Sequence, residues 1–275
     1  MVSLNDFTHY HKTLATTIFV TLGLSLVLHI YQKKRAITVI EQAEAHMVNI
    51  IDDRTKKIED YLDNKKTALS IFTTNAIVQH AFKNTAHDGQ EQLKLLVKSY
   101  SEAQNIENIL FIRTDGSLIY AQKKPEVFKA NLLDMPYDTT NLGKAFKQTL
   151  LSLTPTFSVF SHDFFTKKPS LYLIDPVYEN KILIGFVAAQ IDHQELYNLA
   201  QDYLGLGETG EIFFTNFFNN ITQIISPTRH KPNAAFETSE YMLGQPNSFK
   251  EKSVLGTRGS GISSDYRGTE ALGAW

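Results

Sequence analysis

The chain has no cysteine among its 275 residues. Disulfides, thiolate zinc sites, iron–sulfur clusters and cysteine nucleophiles are excluded together, and the redox compartment is left open. Net charge is nearly absent too: 27 basic and 29 acidic residues, spread along the whole length, leave −2. Phosphate backbones require a basic stripe, so nucleic acid is not an expected partner. Catalytic motifs are also missing. Gly205, Gly207 and Gly210 have the spacing of a dinucleotide loop but precede a strand-like run instead of a helix. No serine occupies a G-x-S-x-G elbow, Gly259-Ser260-Gly261 reads as a loop, and no kinase or cyclase signature occurs. The nine histidines are dispersed, and the close pair His9 and His11 has no carboxylate placed to complete a metal site. The expectation is a non-enzyme with no metal and no cofactor.

Charge is also lacking from Thr13 to Tyr31, nineteen uncharged residues closed by Lys33, Lys34 and Arg35. At 1.5 Å per residue such a run spans about 28 Å, the hydrocarbon thickness of a bilayer. No A-x-A-like cleavage site accompanies it, so an uncleaved transmembrane helix is expected at 13–31, after a tail at 1–12. The basic cluster follows the span while only Lys12 precedes it, which by the positive-inside rule favours a cytoplasmic body.

The remainder, in a chain 43% hydrophobic and 20% charged, has the composition of globular domains. Residues 36–80 carry one stripe at alternating spacings of three and four, including Ile37, Ile40, Met47, Ile51, Ile58, Leu62, Leu69 and Phe72. This predicts a long stalk helix whose near-membrane part packs against a second copy, with Glu44, Thr55 and Lys65 interrupting the stripe. From Asn108 the period becomes two: NILFIR, an Asp115-Gly116 turn, then LIYAQ. A short helix over 141–153 and strands at 156–161, 170–178 and 182–191 follow, and Asp192 caps a helix that leaves this first module. A second module opens at Gly205 with strands EIFFTN and ITQIIS, has helical signals near 238–251, and closes with SGISSDYRGTEALGAW, its last strand expected to be missing.

Three stretches, FIRTDGSLIYA, LYLIDPVYENKILIGFVAAQIDHQEL and LGLGETGEIFFTN with GISSDYRGTEALGAW, resemble in pattern and order the double Cache sensors of bacterial transmembrane receptors. The resemblance spans residues 36–275. It implies an α+β fold of a transmembrane helix, a stalk helix and two PAS-like antiparallel-sheet modules, the distal one at 81–204 holding the ligand and the proximal one at 205–275 incomplete. It also implies a sensor outside the inner membrane, contrary to the basic cluster. Family members that bind amino acids carry an Arg and a Trp after the first hairpin, a Tyr-x-Asp, and an Asp ending the last strand. Here no Arg or Trp lies between Gly116 and Pro155, Ser161 stands for the Tyr, Asp163 matches, and Gln190 replaces the second Asp. Without that Arg no bidentate partner awaits a carboxylate, and Gln190 cannot neutralise an ammonium, so an α-amino acid is not the expected ligand. Asp163 and Gln190 head the candidate ligand-binding residues. Phe111, Arg113, Tyr120, Tyr137, Phe160, His162 and Tyr172 complete a set expected on one side of the sheet. The expected function is the sensory region of a receptor, dimeric through the stalk, binding a small molecule. The alternative is an anchored non-catalytic structural or partner-binding protein, a decayed or truncated receptor.

Overall fold

The computed structural model describes residues 4–83, 90–123, 130–218, 221–236, 249–254 and 256–275, with side chains of the first helix described from Thr17 onward. That helix, α1 (Leu4–Thr73), runs unbroken through the apolar run, the basic cluster and the stalk. Nothing in the sequence stops it, since it contains no proline and only Gly23. Its large apolar side chains from Ile18 to Tyr31 are 50% to 80% exposed. Among the described residues no helix is long and apolar enough to cross a membrane. The expected span at 13–31 is therefore not met there, its described side chains covering only Thr17 to Tyr31. The stalk helix ends earlier than expected. Asn75 adopts an extended conformation, its side chain accepts the Ile77 N–H, and a separate short helix, α2 (Ala76–Ala81), begins.

A helix absent from the sequence expectation follows, α3 (Gln90–Ala103), which buries Leu93, Val97 and Ser101 along one face. Then come β1 (Ile106–Ile112), β2 (Leu118–Ala121), α4 (Asn141–Ser152), β3 (Thr156–Phe157), β4 (Ser161–His162), β5 (Pro169–Glu179) and β6 (Ile182–Ile191). The strands form one antiparallel sheet ordered β2-β1-β6-β5-β3, with β4 also paired to β5. The β5–β6 turn works because Asn180 and Lys181 take φ of 48° and 68°, the left-handed pair that a two-residue hairpin favours. The single strand expected at 156–161 is broken, because Phe160 leaves the ladder to pack against Tyr197 and Phe236.

Alternation along β1, β5 and β6 divides the sheet between two cores. Ile109, Phe111, Leu173, Val187 and Ala189 face the end of α1 and α3, meeting Leu69, Phe72, Leu93 and Val97. Leu110, Ile112, Tyr172, Ile174, Phe186 and Ala188 face α4, meeting Leu142, Ala145 and Phe146.

Asp192 caps α5 (His193–Ala200) by accepting the Gln194 N–H at 2.9 Å, as expected. The second module holds β7 (Thr215–Phe218), β8 (Ile221–Ile224), α6 (Phe249–Val254), β9 (Ser260–Ser264) and β10 (Glu270–Ala274). Its strands make two separate hairpins instead of one sheet, and EIFFTN is strand only from Thr215. Most of the helix expected near 238–251 lies outside the described residues. Polar ties bind this part of the chain to the stalk. Arg54, buried on α1, pairs with Asp202 at 2.7 Å, and Arg258 pairs with Asp52. Higher up, buried Lys65 donates to the Gln104 carbonyl and lies 3.5 Å from Glu195 of α5.

Candidate functional site

The register Tyr172↔Gln190↔Asn108 runs across β5, β6 and β1, so Gln190 and Tyr172 stand side by side on the α4 face. Ser170 is two residues before Tyr172 and shares that face. Gln190 is 1% exposed, and its amide donates to the Ser170 hydroxyl at 2.6 Å. Buried polar groups must find such partners, and here they find each other.

Asp163 is at the end of β4 and is 6% exposed. One carboxylate oxygen accepts the N–H groups of Phe165 (3.0 Å) and Thr166 (2.6 Å), and the other accepts the Tyr172 hydroxyl at 2.8 Å. The loop from Asp163 to Lys168 closes with Asp163 N–H donating to the Lys168 carbonyl and Lys167 N–H to the Asp163 carbonyl. Asp163 thus folds its own loop and ties it to the sheet. Burial, and then the Asp163 charge, push the Tyr172 hydroxyl well above its usual pKa, so it stays a donor.

Asp163, Tyr172, Ser170 and His162 line one small cavity with Ser161, Phe164 and the start of α4 at Thr140, Asn141 and Leu142. Its volume is about 10 Å³, room for a single water. Thr140 accepts the Gly143 N–H and caps α4 at this point. Tyr137 stacks on Phe165 at 5.6 Å, bracing the loop from outside. Among the described residues no lysine or arginine lines the cavity, and its one carboxylate has three donors already in place.

The other sequence candidates are elsewhere. Phe111 and Tyr120, register partners on β1 and β2, belong to the opposite core, with rings 5.2 Å apart and Phe82 stacked on Phe111 at 5.4 Å. Phe160 is in that core as well. Arg113 lies past β1 in the hairpin turn, where its N–H donates to the Ser117 carbonyl. The expected single-sided set is thus divided, because adjacent sheet positions alternate faces. Ser170, Thr140 and Asn141 were not anticipated. Ser170 has a readable signal, the parity it shares with Tyr172; the other two are brought in by the packing of α4.

Neither a protein-family model nor a curated protein matches the sequence. Solved structures do match in fold. The extracellular domain of the putative histidine kinase vpHK1S-Z8 is similar at 13% identity with a TM-score of 0.55, covering 82% of this chain and 83% of that one. This chain has the fold of that extracellular domain. The extracellular ligand binding receptor from Desulfohalobium retbaense DSM5692 gives 11% identity and a TM-score of 0.52, over 81% of this chain and 36% of that one. The ligand-binding domain of the Campylobacter jejuni chemoreceptor Tlp3, solved with 4-methylisoleucine, gives 12% and 0.47, over 67% and 85%. At these identities the likeness is one of fold.

Proposed function

We propose that this chain is the extracytoplasmic sensory region of a transmembrane receptor, which binds a small molecule in its distal module (81–204) and signals through α1. The observation that carries this reading is the fold shared with a histidine kinase extracellular domain over 82% of the chain. Fold alone does not fix function, so the reading also rests on the site. Polar side chains converge on one buried point of the sheet, closed by a loop that a single carboxylate holds shut. Ligand entry displaces that loop and the start of α4. The lack of lysine and arginine among the described residues of the cavity wall supports a ligand other than an α-amino acid.

The nineteen-residue uncharged run supports an anchor at 13–31, and the exposed Ile37 and Ile40 beyond it support pairing of two stalks. Residues 205–275 form the membrane-proximal module, and the protein sits in the inner membrane with its sensor outside. A thermal-shift screen of the full chain in detergent tests ligand binding. Carboxylates, amines, purines and sugars are candidates for stabilisation; α-amino acids are expected to give none, and a shift with them would refute the ligand argument. A reporter fused after Trp275 tests location, since activity of a cytoplasmic-type reporter would overturn the placement. The anchored structural-protein alternative is favoured by the saturated carboxylate of Asp163 and predicts no hit in that screen.

A further inference from the structure

A void of about 300 Å³ lies in the proximal module between α1 and the β9–β10 hairpin. It is thirty times the distal cavity and falls within the size range of small-molecule sites. One wall is α1, through Ile50, Ile51 and Thr55; the facing wall is the hairpin, through Ala271 and Trp275, with Phe249 of α6 beside it.

The aromatic walls depend on two glycines. A Cβ on Gly259 would fall 2.7 Å from the Trp275 ring, and one on Gly273 would fall 2.9 Å from Phe249. Neither glycine has a positive φ, so what they supply is space for the rings. Among the described residues the module's own buried cluster holds Ile224 and Ala234, so closing this space would add packing.

The carboxylates in the wall already have donors, and Asp265 is ion-paired. Asp265 accepts from the Arg267 guanidinium at 2.8 and 2.6 Å, while Glu211 accepts the Arg229 N–H and the Tyr266 hydroxyl. The Thr55 and Thr209 hydroxyls line the void from exposed residues.

We infer that this cavity is a second ligand site, separate from the distal cluster, for an uncharged and mainly apolar small molecule carrying one hydroxyl or carbonyl. Because one wall is the stalk itself, an occupant here acts on α1 directly, without the distal module.

Trp275 is the only tryptophan in the chain, so its emission reads this cavity alone. The test titrates the full chain in detergent with cyclohexanol, and with cyclohexanecarboxylate as the charged counterpart. Cyclohexanol is expected to give a saturable change in Trp275 emission, and the carboxylate none. Ala271→Leu and Thr55→Leu, which fill the void from opposite walls, are expected to raise the cyclohexanol midpoint at least tenfold. Thr55 is exposed on a helix, so its variant carries the test if Ala271→Leu does not fold. No response, a response that rises linearly as micelle partition does, an equal response to the carboxylate, or an unchanged midpoint in the folded variants would each overturn the inference.

Discussion

Asp163 was singled out as a ligand contact, and its geometry gives it a structural duty as well. Three donors converge on its carboxylate, two of them backbone N–H groups of its own loop. Asp163→Ala leaves those donors and the Tyr172 hydroxyl without their acceptor in a buried place, at a cost of about 1–3 kcal/mol. The urea midpoint is expected to fall at unchanged slope, with Asp163→Asn intermediate because it retains one acceptor oxygen. Any loss of ligand response in Asp163→Ala must be measured at temperatures where the variant is folded. On the opposite face, Asp175 is buried against the Thr73 hydroxyl at 2.8 Å, and burial raises its carboxyl above the ordinary range despite that hydrogen bond. A raised folded-state pKa means that the native chain binds the proton more tightly than the unfolded chain. The stability it confers is full below the ordinary carboxylate pKa and is lost as pH rises through the raised value. Asp175→Asn is therefore expected to be more stable than the parent at pH 7, the difference vanishing toward pH 4. Thermal melts across that range check the sign, and a constant difference would refute it.

At the scale of elements, α1 is fastened to the sensor by cations that its apolar stripe did not call for. Lys65 interrupts the stripe, and the structure explains it: the helix turns this position toward the Gln104 carbonyl and Glu195 of α5. Removing one member of a buried pair costs roughly 3–5 kcal/mol, whereas an apolar replacement of both is often neutral. Glu195 keeps 30% of its side chain exposed. Lys65→Ala is accordingly expected to cost less, about 2–3 kcal/mol. Lys65→Met with Glu195→Leu should return close to the parent, and a double-mutant cycle by chemical denaturation measures the difference. The interruption was visible in sequence; its partner, far along the chain, was not. Similar reasoning covers the rest of what could be read. The order of β1, β2, α4, β5, β6 and α5 follows from local period, the Asp-Gly turn and the Asp192 cap. Helix α3 was legible in the spacing of Leu93, Leu96, Val97 and Tyr100. Period two predicts that Phe111 and Leu110 face opposite ways. It cannot say which meets α1 and which α4, because that is decided when distant helices dock.

For the molecule as a whole, both modules share α1 as a wall. β5 of the distal sheet and the β9–β10 hairpin of the proximal module each rest on it, but only the proximal cavity has α1 as a wall; the distal cavity lies across the sheet, on the α4 face. That arrangement was half legible: the stripe over 36–80 announced a long helix, but the proximal module, with two hairpins and a small core, gives weak periodic signal. The unbroken course of α1 sets a rule of angular phase for the chain. Each residue in a helix advances the azimuth by about 100°, so four residues inserted between Ala36 and Ile40 would turn the sensor by about 40° relative to everything before it, and seven by only about −20°. Whatever is joined to the first turns of α1 faces the modules at an orientation fixed by residue count, as teeth fix the timing of two gears.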